Sequence, residues 1–335
     1  MIIQKGKAII MSLNCYKPEG MLIGTEENRE FLSSPSGIER AMASGKILEA
    51  MAVLCDGDMT LTVDLGCMRG VIPHSEAAYQ PDGTPLKDIA VITRVGKAVC
   101  FRVISVEHDE NGRPYAVLSR RAAQRECTMN YLMSLVEGDI VPARVTHLEH
   151  FGAFVDIGCG VVSLMSIDCI SVSRICHPRD RFYVGMNISA VIKSMEFSSG
   201  GMLSRIFVSH KELLGTWQEN ADLFSAGQTV SGVVRSIEEY GIFVELTPNL
   251  AGLAEFRDDV SVGQSAAVYI KNIIPERMKI KLVLIDSYKE ELPPVKMRYY
   301  IDCKTDTHID CWRYSPRACP RVIETCFSQY GAVHI

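Results

Sequence analysis

The sequence lacks three features that would each mark a distinct class of protein. It has no cysteine pair at CxxC spacing, no apolar run near the ~18 residues of a membrane span, and no basic excess. Its 335 residues carry 35 Lys or Arg against 40 Asp or Glu, a formal net charge of −5. This balance excludes coating of nucleic acid by bulk positive charge, so an anionic ligand needs a local patch.

The twelve cysteines fall singly on apolar segments such as AVLCDG and KAVCFRV. This distribution is typical of reduced, buried thiols, and a chain of this length needs no disulfide support. The nearest approach to a ligand cluster is the set Cys303, His308, Cys311, Cys319 and Cys326. Separations of roughly eight residues do not match the common zinc knuckles. We therefore expect neither a metal ion nor a cofactor.

The first ten residues, MIIQKGKAII, contain too short an apolar core for a signal peptide. Because no membrane-length segment follows, we expect a cytoplasmic protein with no membrane partner. Met11 begins a more polar segment, so translation from Met1 and from Met11 both stay open.

One pattern occurs twice along the chain. GDIVPARVTHLEHFGAFV at 138–155 aligns without a gap with GQTVSGVVRSIEEYGIFV at 227–244. Each copy continues with an alternating run, GMNISAVIK or GQSAAVYIK, and a last short segment, SRIFVS or MKIKLVL. Alternation of apolar and polar residues predicts strands, and five short strands per copy predict an OB-type closed barrel.

A weaker copy comes first. GKILEAMAVLCDGDMTLTVDLG starts at residue 45, and GKAVCFRVI and PYAVLSRR follow after the long insert PHSEAAYQPDGTPLKDIAVITR. Units roughly ninety residues apart are too long for a solenoid repeat and predict separate beads on a string. The predicted divisions are an N-terminal extension with a short helix (1–44), a degenerate OB-type repeat one (45–121), a connecting helix (122–137), repeat two (138–211), a connecting helix (212–226), repeat three (227–286) and a C-terminal appendage (287–335).

Local signals predict the connecting helices and the appendage. Ser34 and Pro35 are typical of a helix start and Gly45 of its end, and Ser209 with Glu212 has capping-box spacing. In the tail, MRYYI and HIDCWRY predict strands and PRVIETCFSQY a helix. The predicted fold class is therefore mainly β, with three tandem OB-type five-stranded barrels joined by short helices and a small β-β-α appendage.

These motifs resemble the S-one RNA-binding domain, the OB-fold repeat of small-subunit ribosomal protein S-one. The shared order is G-x-x-V, [FY]-G-x-F-V, G-x-x-(V/I) and (R/K)-I-x-(V/L), and it covers about residues 45–286. YKPEGMLIGTEENREFLSSP and HIDCWRYSP are also similar to segments flanking such repeats in chains of Gram-positive anaerobes. The resemblance implies binding of single-stranded RNA on the barrel face.

Four aromatics occupy family positions for stacking, namely Phe151, Phe154, Tyr240 and Phe243. Stacking on such platforms contributes ~1–3 kcal/mol per base. The alternative is that one aromatic of each pair belongs to the core. Further outward positions are predicted for Lys193, Arg205, Tyr269, Lys271 and Lys279, for which the alternative is a solvated strand edge.

Unit two is the favoured RNA contact. Residues 138–211 hold seven Lys or Arg against six Asp or Glu and four of the eight histidines, among them His147. Its loop SRICHPRDRF adds Arg174, His177, Arg179 and Arg181, unless it is a solvated turn in which Asp180 pairs with an arginine. Unit three has six basic against eight acidic residues at 227–286. Unit one has Met59 and Thr62 in place of the aromatics, which predicts a docking or structural role.

The sequence departs from the family at one further point. Where the family often carries histidine in a G-L-x-H segment, this chain has Pro73, Ser166 and Glu255.

The favoured hypothesis is a non-enzymatic protein of the translation machinery that binds single-stranded mRNA, with the small ribosomal subunit as a further partner. The alternative is a protein-interaction or regulatory module in RNA metabolism or decay with weak RNA binding. A third hypothesis is an RNA-processing enzyme. Against it, the sequence contains no P-loop, no metal-ligand motif and no paired carboxylates outside the repeats.

Overall fold

The computed structural model describes residues 16–289, 297–303 and 305–327. The stretch 1–10 and the last residues of the predicted C-terminal helix, 328–330, lie outside these ranges. Within them, fifteen strands form three closed five-stranded barrels, which confirms the predicted fold class. In every barrel the third and fifth strands pair in parallel and all other pairs are antiparallel.

The strands follow one another in the same order in each barrel. Barrel one contains β1 (Leu48–Cys55), β2 (Leu61–Asp64), β3 (Arg69–Ile72), β4 (Ala98–His108) and β5 (Pro114–Ser119). Barrel two contains β6 (Ile140–Glu149), β7 (Gly152–Asp156), β8 (Val162–Ser166), β9 (Asn187–Phe197) and β10 (Leu203–Ser209). Barrel three contains β11 (Thr229–Glu238), β12 (Gly241–Thr247), β13 (Leu250–Ala254), β14 (Ser265–Ile274) and β15 (Lys279–Tyr288).

Alternation along the strands fills the barrels and sets their outer surfaces. In β10, Ile206 and Val208 are buried while Phe207 between them is half-exposed. The glycine of the repeated hairpin is required by the neighbouring strand: a Cβ on Gly152 would lie 2.3 Å from the carbonyl oxygen of Met165, and one on Gly241 2.4 Å from that of Ala254. The same close approach therefore accounts for the glycine in both copies.

Helices α1 (Glu26–Leu32) and α2 (Pro35–Ser44) precede barrel one, and α3 (Asp88–Ile92) lies in its insert. Helices α4 (Arg120–Asn130) and α5 (Trp217–Ala221) connect successive barrels. The predicted ends of α2 are confirmed, because Ser34 caps its start and Gly45 ends it with φ +63°. None of the helices in the described part of the chain is long and apolar enough to cross a bilayer.

The helix predicted from the Ser209–Glu212 capping signal begins elsewhere. Residues 211–214 form only a 3₁₀ turn, Gly215 has φ +81°, and α5 starts after a separate capping box of Thr216 with Glu219. The left-handed glycine separates the two turns, so the predicted continuous helix is wrong.

The tail differs from its predicted β-β-α order. It forms a hairpin of β16 (Cys311–Arg313) and β17 (Glu324–Cys326), and β17 lies in the segment predicted as helical. The segment 297–301, predicted as a strand, has no regular structure. A disulfide joins Cys311 to Cys326 across the hairpin, so the expectation of reduced thiols is wrong for this pair. Residues 324–326 are extended because they pair with β16. The spacing of apolar residues within 320–330 does not reveal that pairing, so it predicted a helix.

Barrels one and two share buried contacts, which corrects the interpretation as separate beads. The carboxylate of Glu19, in the segment before α1, accepts hydrogen bonds from Arg120 Nε at 2.6 Å and from the amide of Cys100 at 3.1 Å. The amide of Glu19 donates to Asp156 of barrel two at 2.6 Å. Burial, together with the charge of Glu19, raises the pKa of Asp156 to about 7.

Barrels two and three are joined by ion pairs and by the tail. Glu245 on β12 pairs with Arg181 of barrel two and with Arg235 Nε at 2.9 Å. The amide of Ile309 in the tail donates to the carbonyl oxygen of Gly138 at 2.9 Å, and the Tyr314 hydroxyl donates to that of Asn249. The tail therefore contacts both barrels.

Candidate nucleic-acid interface

Half-exposed and exposed side chains form a row across the outside of barrel two. His147 on β6 lies opposite Phe154 on β7, Phe154 lies opposite Leu164 on β8, and Leu164 pairs with Phe207 on β10. The ring centroids of His147 and Phe154 are 6.2 Å apart. We call these four residues the aromatic row; it presents three rings on adjacent parts of one surface.

The hairpin beside the row carries a further aromatic. Phe151 is 55% exposed at the turn before β7, and its ring stands at 89° to that of Phe154 with centroids 6.0 Å apart. Barrel three repeats the arrangement: Tyr240 is 68% exposed and lies at 89° to Phe243 with centroids 6.1 Å apart. A perpendicular pair leaves the face of the outer ring open to a ligand, as base stacking requires.

The basic loop of barrel two reaches this hairpin. His177 caps a short 3₁₀ turn by accepting a hydrogen bond from the amide of Arg179 at 3.1 Å, and its ring is 4.7 Å from that of His150, next to Phe151. Arg174 and Arg179 are exposed. The structure thus brings the two predicted sets, aromatic and basic, to one side of barrel two.

Arg181 does not belong to that set. Its side chain is 0% exposed and pairs with Glu245 of barrel three. Asp180 pairs with Arg235 at 3.3 Å and accepts hydrogen bonds from the amides of Cys176 and His177. The prediction that Arg181 contacts RNA is therefore wrong, because the inter-barrel contact buries it.

The remaining predicted residues lie at several places. Lys193 on β9 and Lys271 on β14 are equivalent residues, and at both the register of pairing with the last strand of the barrel shifts by one residue. Lys193 Nζ donates to Cys169 Sγ at 3.0 Å, and this hydrogen bond raises the pKa of the lysine. Lys279 is exposed at the start of β15. Arg205, the equivalent residue of β10, lines a cavity between barrels one and two.

Tyr269 is not brought to the aromatic hairpin of barrel three. It pairs with Thr229 on β11 and Val283 on β15, whereas Phe243 pairs with Ser236 on β11. The two partners are seven positions apart along β11, so Tyr269 presents its ring on a different part of the barrel.

Sequence reasoning missed four residues of these surfaces, namely His150, Leu164, Phe207 and Lys281. Phe207 completes the aromatic row, and its counterpart in barrel three is Lys281, which pairs with Leu253 next to Phe243. Both stand between buried residues in an alternating strand, and that signal was available. Lys281 adds a cation to a barrel whose Glu239 and Glu255 are exposed.

The equivalent row of barrel one has no ring. It consists of Leu54, Thr62, Val71 and Val117. Leu54 is 56% exposed, so this barrel presents aliphatic surface where barrel two presents aromatic surface. No group of three or more His, Cys, Asp or Glu suited to a metal ion occurs within the described ranges.

Comparison with known proteins agrees with this geometry. Residues 135–202, which include most of barrel two, match the family model of the S1 RNA binding domain. Barrel two therefore matches the S-one domain expected from the sequence.

Much of the chain is similar to small ribosomal subunit proteins bS1 of two bacteria. It is 30% identical over 241 residues to the small ribosomal subunit protein bS1 homolog of Bacillus subtilis, covering 69% of this chain and 57% of that protein. It is 29% identical over 292 residues to the small ribosomal subunit protein bS1 of Staphylococcus aureus, covering 82% and 69%. The chain thus spans little more than half the length of the Bacillus subtilis relative.

Among solved structures, a multidomain protein with nucleic acid binding domains from Streptococcus pneumoniae is 14% identical and covers 74% of this chain and 76% of that one. The TM-score of this comparison is 0.22.

Proposed function

We propose that the chain is a non-enzymatic protein of the translation machinery that binds single-stranded mRNA through barrel two. The observation that carries the proposal is the contact between His150 and His177, which joins the aromatic hairpin to the basic loop. Unpaired bases would stack on Phe151 and on the aromatic row, while Arg174 and Arg179 meet phosphates. Because aromatic rings stack on any base and arginines bind the phosphates, we expect the affinity to depend little on base sequence.

Barrel three supports the same role with a different balance. Tyr240 and Phe243 repeat the perpendicular pair, and Lys271, Lys279 and Lys281 are exposed on neighbouring strands. The exposed carboxylates of Glu239 and Glu255 repel phosphate, so we propose that this barrel extends the RNA path but contributes less affinity.

The names of the relatives support association with the small ribosomal subunit, which we propose as a second partner in the cytoplasm. Because this chain matches only part of the Bacillus subtilis protein, the strength of that association is best measured on this chain itself.

The test is a fluorescence anisotropy titration of an unstructured RNA oligonucleotide and of the same sequence as a duplex. We expect the single strand to bind at least about tenfold more tightly, because only unpaired bases offer their faces to aromatic rings. Equal affinity for the two forms, or no binding of either, would refute the proposal.

The exposed aliphatic side chains of barrel one favour the alternative function, a protein-interaction module. Leu54 of its row is more than half exposed, as are Val53 and Ile104 outside the row, and the row itself contains no aromatic. Aliphatic surface binds protein rather than bases. We propose that barrel one docks a protein while barrel two binds RNA.

A further inference from the structure

A cavity of about 390 Å³ lies between barrel one and barrel two. Its walls come from the long insert of barrel one, from α4, and from the starts of β8 and β10 in barrel two. The insert is the segment that matched no part of the repeat pattern, and here it contributes Tyr79, Leu86 and Arg94. The volume lies in the range of small-molecule sites.

The charge of the lining residues is positive. Arg94, Arg120 and Arg205 all line the cavity, and none of its lining residues is an aspartate or a glutamate. Glu19 behind the wall pairs with Arg120 at 2.6 Å and approaches Arg94 at 3.8 Å. Arg205 takes part in no ion pair with the described residues. Arg94 shares the single carboxylate of Glu19 with Arg120, so Arg94 and Arg205 together leave positive charge that a ligand can neutralise.

Two residues that line the cavity each carry a buried polar atom without a hydrogen-bond partner among the described residues. These atoms are Ser163 Oγ, in a residue that is only 2% exposed, and Arg94 Nε. A buried donor without a partner is costly, so such atoms commonly belong to a site completed by a ligand or water. Burial, followed by the nearby charge of Arg120, lowers the pKa of the Arg94 guanidinium, and an anion would offset both effects.

We propose that this cavity binds a phosphate-bearing ligand of mononucleotide size. Arg94, Arg205 and Ser163 donate hydrogen bonds to the phosphate, and arginine suits this ligand because its fork of donors matches phosphate oxygens. Tyr79 and Leu86 supply apolar surface for the rest of the ligand, and Gln124 holds the amide of Tyr79 at 2.9 Å. The site is separate from the aromatic row on which the proposed function depends.

The phosphate could come from a free nucleotide or from the 5′ end of an RNA chain, and one set of titrations separates these sources. Calorimetry on the full chain with adenosine 5′-monophosphate should give one site with a dissociation constant below millimolar. Adenosine, which lacks the phosphate, should bind at least about tenfold more weakly.

Ser163→Ala and Arg94→Gln should each weaken nucleotide binding by about tenfold, the effect of one charge-assisted hydrogen bond. Ser163→Ala removes a hydroxyl that has no hydrogen-bond partner among the described residues, so this variant should be as stable as the wild type. It therefore provides the test even if the Arg94→Gln variant does not fold. The matched control is Arg125→Gln, which removes an exposed arginine of α4 that does not line the cavity and should leave nucleotide affinity unchanged.

The phosphate comes from an RNA end if a 5′-phosphorylated RNA oligonucleotide binds more tightly than the same oligonucleotide with a 5′-hydroxyl, and if Ser163→Ala abolishes that difference. It comes from a free nucleotide if the two oligonucleotides bind equally while adenosine 5′-monophosphate still binds. Absence of binding of adenosine 5′-monophosphate at millimolar concentration, or binding that neither Ser163→Ala nor Arg94→Gln changes, would overturn the proposal. Binding of the 5′-hydroxyl oligonucleotide reports separately on the proposed RNA function.

Discussion

Phe207 shows, at the scale of single residues, how a strand position becomes part of an interface. Its neighbours Ile206 and Val208 fill barrel two, so the phenyl ring between them faces outward and joins Leu164 and Phe154. The same position holds Lys281 in barrel three and Val117 in barrel one. One outward position thus distinguishes the three barrels.

Replacement of Phe207 by alanine should weaken binding of unstructured RNA by ~1–3 kcal/mol, the contribution of one stacked base. The matched control is Phe256→Ala, which removes a ring that is 53% exposed but lies outside the row. Anisotropy titrations of both variants check the prediction. Equal losses for the two variants would show that the row has no special role.

His210 is a second residue whose surroundings determine its behaviour. Nδ1 lies 3.1 Å from the carbonyl oxygen of Ile170, so it carries the proton, and Nε2 accepts from the Tyr299 hydroxyl at 3.1 Å. The tyrosine oxygen in turn accepts from the amide of Ser189. Burial lowers the pKa of His210 to about 4, so the folded protein keeps this ring neutral.

Because the unfolded chain protonates His210 near pH 6.5 and the folded chain only near pH 4, stability is lost as the pH falls between these values. From pH 7 to pH 5 the wild type should lose about 2 kcal/mol more than a His210→Gln variant. Urea unfolding at the two pH values measures this. Parallel losses in the two proteins would contradict the assignment of a neutral, buried ring.

At the scale of elements, the basic loop between β8 and β9 separates two kinds of arginine. Arg174 and Arg179 face solvent beside the aromatic hairpin, whereas Arg181 holds Glu245 of barrel three. The three were indistinguishable in the sequence because the partner of Arg181 lies 64 residues away.

Changing Arg174 and Arg179 together to alanine should reduce the slope of log affinity against log salt by about 1.4, at about 0.7 per phosphate contact. Arg181→Ala should leave that slope unchanged and instead lower the free energy of unfolding by about 3 kcal/mol, because buried Glu245 loses one of its partners. Anisotropy at several salt concentrations and urea unfolding provide the two readouts. An unchanged slope in the double variant would make the loop a solvated turn.

The sequence predicted well those elements whose conformation is determined by residues close together in the chain. Alternation and the hairpin glycines identify the strands of the barrels, and Ser34 with Gly45 delimits α2. The strand β17 was missed, because pairing with β16 across the ten residues between the two strands decides its conformation. The cavity was also missed, since its wall combines an insert of barrel one with strands of barrel two.

At the scale of the whole molecule, the three barrels form a connected assembly. Glu19 joins barrel one to barrel two, Glu245 joins barrel two to barrel three, and the tail contacts the last two. The barrels therefore present their rows in a defined arrangement, and experiments are best made on variants of the full chain rather than on single repeats.

Aromatic stacking on barrel two is the proposed source of affinity for single-stranded RNA. The most direct measurement is the affinity of the full chain carrying Phe151→Ala and Phe154→Ala for an unstructured RNA oligonucleotide, with circular dichroism to verify folding. We expect a loss of roughly 2–4 kcal/mol with little change in salt slope, because stacking releases no counterions. Wild-type affinity in the folded double variant would contradict the account.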